Sequence, residues 1–150
     1  MISVVVPSAQ SARDLAGLLP VLVPAAVDGL VREVIVAEAR PDAAILAICE
    51  DAGADLAADL AAAAGRARGE LILALPVHLR LRPGWEESVR RHLEQGGGPA
   101  LVCTGPPTLV ERLAGPRLAG VLVRAEAARS INPKDIADLR RRLGRAALLN

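Results

Sequence analysis

Short runs of β-branched and aliphatic residues alternate along this chain with longer stretches in which leucines and alanines return every three or four positions. The first run, Ile2 to Val6, ends at Pro7 and predicts a central parallel strand, since a strand covered on both faces needs no polar alternation. Ser8-Ala9-Gln10 then reads as a loop. Ser11, with Asp14 three residues later, marks a helix start close to a capping box. Leu15, Leu18, Leu19 and Leu22 share one face of that helix, and Pro20 is expected to kink it or end it early. Val31 to Ala37 predicts a second buried strand. Pro41-Asp42 opens a helix with Ile45, Ile48 and Cys49 on one side, closed by Gly53. The Ala-rich stretch from Ala54 to Arg68 predicts a further helix with Leu56 and Leu60 inward.

The stretch Gly69 to Trp85, GELILALPVHLRLRPGW, has the richest pattern. Glu70 to Leu75 predicts a buried strand, and Pro83 to Gln95 a helix with Trp85, Val89 and Leu93 toward the sheet. Gly96-Gly97-Gly98 breaks the chain. Pro99 to Cys103 predicts a short strand, Thr104 to Pro107 a rigid loop, and the region near Leu109 to Leu113 a short helix. Leu118 to Arg124 predicts another strand. Asn132 is expected to cap a last helix, with Pro133 at its first position and Asp135 in its first turn. Ile136, Leu139 and Leu143 would bury one side of it, while Arg140, Arg141, Arg142 and Arg145 cover the other. This alternation predicts one α/β domain over residues 1–150 with a mostly parallel sheet. Ligands of such sheets bind beyond the carboxyl ends of the strands, which directs attention to the loop Pro76-Val77-His78.

Composition narrows the classes. Of 150 residues 52% are apolar, yet Trp85 is the sole aromatic residue, which argues against nucleic-acid binding through stacked bases. The net charge of +1 gives no electrostatic pull toward nucleic acid or an anionic membrane. No apolar run reaches the roughly 18 residues of a membrane span, and the amino terminus lacks a basic leader segment. Cys49 and Cys103 stand alone, without metal-ligand spacing, as expected of reduced thiols in a cytoplasmic protein. There is no G-x-G-x-x-G after the first strand, no P-loop, no C-x-x-C and no G-x-S-x-G.

The pieces ISVVVPS, LVREVIVAEA, RARGELILAL, LRLRPGW, AGVLVRAEA and PKDIADLRRRLGR, in that order, resemble the nucleotide-sugar-binding half of a family 2 glycosyltransferase. The resemblance implies a three-layer, Rossmann-like GT-A fold and the transfer of a sugar from a nucleotide diphosphate to an acceptor hydroxyl. It further implies a nucleoside-holding carboxylate after the second strand, an aspartate-any-aspartate loop for Mg²⁺ or Mn²⁺, and a carboxylate base opening a late helix. Carried over by position, the nucleoside carboxylate falls on Glu38, beside Pro7 and Ser8 at the end of the first strand. The metal loop falls on Pro76-Val77-His78, leaving His78 as the one metal-ligand candidate. Arg80 and Arg82 just beyond it are candidate cations for the diphosphate, since guanidinium groups pair well with phosphate oxygens. The base falls on Asp135.

The departures are as informative as the matches. Pro76 and His78 stand where the family has its two metal-binding carboxylates. The segment after Asp55 and the segment from Gly96 to Leu118 are both short for the family, the second of them where an acceptor-binding region is expected. Two readings follow. In one the chain is a glycosyltransferase using a nucleotide sugar. In the other it is a non-catalytic relative that serves as a binding or assembly module and forms homo-oligomers through apolar surface uncovered by the shortening. An unrelated Rossmann-like domain with another ligand is a third.

Overall fold

In the computed structural model, residues 1–104, 109, 116 and 118–149 are described. Among these residues seven strands form one sheet: β1 (Ile2–Pro7), β2 (Val31–Ala37), β3 (Asp55–Ala57), β4 (Leu71–Ala74), β5 (Ala100–Val102), β6 (Gly120–Arg124) and β7 (Ala147–Leu149). Their spatial order is β3-β2-β1-β4-β6-β5-β7. β1 pairs parallel with both β2 and β4, and β5 with β7, whereas β6 runs antiparallel to both β4 and β5.

The helices are α1 (Ala12–Val27), α2 (Ala43–Ala52), α3 (Leu60–Arg66), α4 (Trp85–Glu94), α5 (Ala125–Ile131) and α6 (Ile136–Leu143). They divide between the two faces of the sheet because adjacent strand residues point opposite ways. Val4 and Val6 join Leu15, Leu18, Leu22, Ile45, Trp85 and Val89 in one core. Val5, Ile35 and Ile72 join Leu60, Ala63, Ala128 and Leu139 in the other. The result is the expected three-layer α/β arrangement. None of the described helices is long and apolar enough to cross a membrane.

Three local expectations are corrected. α1 does not end near Pro20 but runs to Val27 through both Pro20 and Pro24. Both prolines lie on the exposed side, so the carbonyls they leave without an amide partner, those of Ala16 and Pro20, face water. Leu15, Leu18, Leu19, Leu22 and Ala25 are buried along the opposite side and hold the helix down.

The Ala-rich stretch is not one helix. It contains the edge strand β3, and Asp59 then caps the short α3 by accepting the Ala62 N–H at 2.7 Å. Leu60 is inward as expected, and Leu56 packs on the other core from the strand. Asn132 does not open the last helix. It closes α5 in a left-handed conformation, φ 49°, and Asp135 is the residue that caps α6. The expected helix near Leu109 to Leu113 falls almost wholly outside the described residues.

β4 delivers the chain as anticipated. Past Ala74 the alternation persists without sheet pairing: Val77, Leu79 and Leu81 are buried, while His78, Arg80 and Arg82 are exposed. Gly84, at φ 86°, then turns the chain into α4, where Trp85 is buried beneath the loop. The Trp85 indole N–H has no hydrogen-bond partner among the described residues.

Candidate functional site

Strand order reverses between β1 and β4. From β1 the chain steps outward through β2 to β3, then returns to β4 on the other side. The crevice outside the carboxyl ends of such strands is where open α/β sheets take their ligands. Pro7 and Ser8 border it from β1, and Leu75 and Pro76 from β4.

On the β2 side, Ser8 and Glu38 are each one residue past the last paired position, Pro7 opposite Ala37. The buried Ser8 hydroxyl donates to Glu38 Oε2 and accepts the Gln10 N–H at 3.2 Å, while the Arg40 N–H donates to Glu38 Oε1 at 3.2 Å. The Ser8 bond is the main cause that holds the Glu38 carboxyl below its usual range. Partial burial opposes it, and the N–H groups of Arg40, Gln10 and Ala39 reinforce it. Glu38 is therefore ionised at neutral pH and has a fixed orientation. The turn that feeds it is strained: Ala9 and Gln10 are consecutive non-glycine residues at φ 48° and 56°. Left-handed conformers of this kind cost roughly 1–2 kcal/mol per residue and gather at functional sites.

On the β4 side the hub is Asp14. Its Oδ2 accepts the Ser11 hydroxyl and the His78 Nδ1–H, each at 2.7 Å, and its Oδ1 accepts Arg80 Nη2 at 2.7 Å. The Ser11 bond first, then those of Arg80 and His78, hold the Asp14 carboxyl down at about 2. An ionised Asp14 makes Nδ1 the protonated nitrogen of His78. Arg80 also reaches the Val77 carbonyl at 3.3 Å, and Gly17 leaves room for its guanidinium. The alternation past β4 puts His78 and Arg80 on one face, and the first turn of α1 supplies the carboxylate between them.

Asp135 joins neither group. It caps α6 through the Asp138 N–H at 2.7 Å. Asp138 itself is a nearly buried carboxylate, 4% exposed, bound by Arg141 at 2.7 Å, Arg142 at 3.0 Å and the Lys134 N–H at 3.2 Å. Between α6 and β4 lies a pocket of about 420 Å³ lined by Pro76, Leu118, Ala119, Ile136, Ala137, Arg140 and Arg141. A second pocket, about 390 Å³ and mostly apolar, lies between α1 and α2. Neither pocket is lined by Glu38, His78, Arg80 or Asp135, and only the one beside α6 lies at the strand ends, at Pro76.

Solved structures share this fold along nearly the whole chain. Glucosyl-3-phosphoglycerate synthase from Mycobacterium tuberculosis, in complex with Mn²⁺, UDP and glucosyl-3-phosphoglycerate, superposes with a TM-score of 0.67 at 19% identity, over 99% of this chain and 68% of that one. Mannosyl-3-phosphoglycerate synthase from Rubrobacter xylanophilus gives 0.67 at 17% identity, over 99% and 64%. Residues 1–349 of TarS from S. aureus give 0.68 at 16% identity, over 99% and 57%. The fold is that of the GT-A glycosyltransferases. The chain spans about three fifths to two thirds of the length of these GT-A structures. No protein-family model and no curated protein sequence matches it.

Among the described residues no three His, Cys, Asp or Glu side chains gather into a metal-binding group. In the loop after β4 His78 offers one imidazole, and Asp14 of α1 offers one carboxylate that is already held by the Arg80 guanidinium. This donor set does not fit a divalent ion, which takes several oxygen or nitrogen ligands. Positive charge at this end of the crevice comes from side chains instead.

Sequence reasoning singled out Glu38, His78 and Arg80 but missed Asp14 as the partner of His78 and Arg80, treating it only as helix capping. The signal was present: an acid in the first turn of a helix that opens at the ligand edge, opposite two bases on an alternating face. Asp138 was legible too, as an acid three and four residues before Arg141 and Arg142.

Proposed function

We propose that this GT-A domain binds the nucleoside diphosphate portion of a nucleotide sugar in the crevice between β1 and β4, without a divalent metal. Glu38, fixed by Ser8, accepts hydrogen bonds from the nucleoside, and Pro7 borders the same subsite. Arg80, with His78 beside it, meets the diphosphate, where a guanidinium pairs with phosphate oxygens in the geometry a carboxylate otherwise occupies. Asp14 acts as the counter-ion that the diphosphate displaces. The observation that carries this reading is the Asp14–His78–Arg80 cluster at the crevice, together with a fold shared by proteins solved with UDP.

If the chain transfers sugar, Asp135 at the start of α6 is the candidate base for the acceptor hydroxyl. A non-catalytic sugar-nucleotide-binding module is the second reading, favoured by the engagement of Asp135 as the cap of α6. We assign the protein to the cytoplasm, where cysteines that stand alone in apolar segments of the sequence, as Cys49 and Cys103 do, stay reduced.

Calorimetric titration with UDP, GDP and their sugars, with and without Mn²⁺, tests the first step. Binding of one nucleotide series to the metal-free protein is expected. Absence of heat in every combination overturns the reading, and binding that requires Mn²⁺ overturns its metal-free part. Release of nucleoside diphosphate from the bound sugar nucleotide in the presence of acceptors then separates the enzyme from the module.

A further inference from the structure

α1 differs from α4 and α6 in its outer face. From Leu15 to Val27 the sequence LAGLLPVLVPAAV holds no polar side chain. A helix apolar on every side belongs in a buried setting, yet only Leu15, Leu18, Leu19, Leu22 and Ala25 of that run are buried. Val21, Val23 and Val27 are 37%, 56% and 80% exposed. The exposed sides of the other two helices carry charges instead, Glu87, Arg91 and Glu94 on α4, Arg141 and Arg142 on α6. Ala16, Pro20, Val23 and Val27 recur at alternating four- and three-residue spacing, the repeat of a helix–helix seam. The first three of them also line the apolar groove of about 390 Å³ whose far wall includes Ile48 and Ala52 of α2.

The charges lie at the two ends of this face. Arg13 stands at its start and Asp28 caps its end. Asp51, in the last turn of α2, lies at the same edge of the sheet as Asp28, since both helices return from parallel strands. All three residues are exposed, and among the described residues none of their side chains enters an ion pair. Each sits at the helix end of its own sign: the cation at the positive amino end of α1, the acids at the negative carboxyl ends of α1 and α2. Arg90 reaches the Asp28 carbonyl at 3.4 Å and leaves the carboxylate unpaired. An antiparallel copy of α1 corrects both ends at once, because it brings a cation to the acidic end and an acid to the basic one.

We infer that this face of α1 pairs with the same face of a second copy of the chain, the two helices running antiparallel about a twofold axis near Pro20. Arg13 lies about two turns before Pro20 and Asp28 about two turns after it, so the axis sets Arg13 of each copy opposite Asp28 of the other. The exposed valines of the two copies pack across the axis and bury apolar surface that a lone chain leaves in water. The Ala16 and Pro20 carbonyls, left without an amide partner by the prolines, keep bridging waters, as specific interfaces commonly do. A lipid surface is the poorer fit: Asp28 and Asp51 would meet anionic headgroups, and no run of basic residues flanks the helix. The pairing needs no nucleotide and does not rest on the nucleotide-sugar reading.

Sedimentation equilibrium on the full chain tests this, and the protein is expected at twice its monomer mass at micromolar concentration. Val23→Glu and Val27→Lys should each raise the dissociation constant about tenfold or more while leaving the circular dichroism spectrum unchanged, since both side chains are exposed in the single chain. Arg13→Asp should also weaken the dimer, and adding Asp28→Arg to it should restore the original constant, a rescue that only the antiparallel register allows. With diamide as the oxidant, Pro20→Cys should cross-link two copies across the axis. Leu46→Cys, exposed on α2 outside the groove, should not. The native Cys49 and Cys103 are buried and do not compete. A monomer at every concentration up to about 1 mM, the weak end of specific association, overturns the inference. So does a dimer indifferent to Val23→Glu and Val27→Lys, a charge swap that fails to rescue, or equal cross-linking by the two cysteine variants. A monomer that sediments with phosphatidylcholine vesicles overturns it in favour of a lipid surface.

Discussion

β1 and β2 are tied together by a serine–glutamate pair at each end, and the two pairs differ in what surrounds them. At the amino end Ser3 Oγ donates to Glu33 at 2.5 Å, Arg68 adds its backbone N–H and its Nε at 2.6 Å each, and the Gly69 N–H bonds back to Ser3 at 2.8 Å. The Glu33 side chain is only 6% exposed. Burial alone would push its carboxyl up, but the bonds from Ser3 and Arg68 outweigh it and hold the group down. At the carboxyl end Ser8 and Glu38 make the same kind of pair, yet Glu38 stays half-exposed and the adjoining turn is strained at Ala9 and Gln10. Equal chemistry thus serves two purposes. The closed pair at the amino end stabilises the sheet, while the open pair at the carboxyl end, beside a strained turn, is the one that the proposed function assigns to a ligand.

Substitutions should separate the two ends. The largest effect is expected at Gly69, where a Cβ would lie 2.6 Å from the Ser3 backbone nitrogen and 2.9 Å from the Met1 carbonyl oxygen. Neither contact can be relieved by a side-chain rotation, so Gly69→Ala should cost about 3 kcal/mol in urea denaturation. Nucleotide affinity of the fraction that stays folded should not change. A neutral outcome would show that the amino end is looser than its hydrogen bonds imply.

Glu38→Ala should do the opposite. Folding stability is expected to fall by no more than about 1 kcal/mol, because the partners left behind can turn to water. UDP binding should weaken roughly tenfold or more, the equivalent of one hydrogen bond to a charged group. Equal losses in stability from Glu38→Ala and Gly69→Ala would erase the distinction between the ends.

A smaller effect of opposite sign is expected at the strained turn. Gln10→Gly replaces a side chain at φ 56° with a residue that adopts that region freely. It should raise stability by about 0.5–1 kcal/mol, the strain relieved exceeding the added freedom of the unfolded chain. A loss of stability would mean that the Gln10 side chain makes a contribution larger than its strain.

Why some of this was legible and some was not follows from the physics of each element. Strands covered on both faces announce themselves as largely apolar runs whichever way they point, so β1, β2, β4 and β6 are readable, and so are α1, α2, α4 and α6. β3 is not, because three residues at a sheet edge within an Ala-rich stretch carry too little pattern, and only Asp59 as a cap betrays the break. The passage of α1 through Pro20 and Pro24 was hidden because it depends on both prolines facing water, a tertiary fact. Of the residues carried over by resemblance, Glu38 and His78 follow the ends of β2 and β4 while Asp135 caps α6, and the partners they find are not written in spacing. Asp14 lies 64 residues from His78, and only the fold brings them together.

The smallest effect concerns pH. Asp14 is held at about 2 against an ordinary 3.8, so the folded state binds its proton less readily than the unfolded chain does. Its contribution to stability is present above pH 3.8 and is lost as pH falls from there through 2. NMR titration of the Asp14 carboxyl carbon should give a midpoint near 2, and Arg80→Gln should move it upward. A midpoint that stays put in that variant would separate Asp14 from the cation that is meant to face the diphosphate.

The most direct test of the central claim is a crystal structure of the protein soaked with UDP and Mn²⁺ together. The account predicts the uridine against Glu38, the diphosphate within hydrogen-bond distance of the Arg80 guanidinium, the Asp14–Arg80 ion pair opened, and no metal between His78 and the diphosphate. A Mn²⁺ ion bridging His78 and the diphosphate, or UDP bound away from the crevice between β1 and β4, would contradict it.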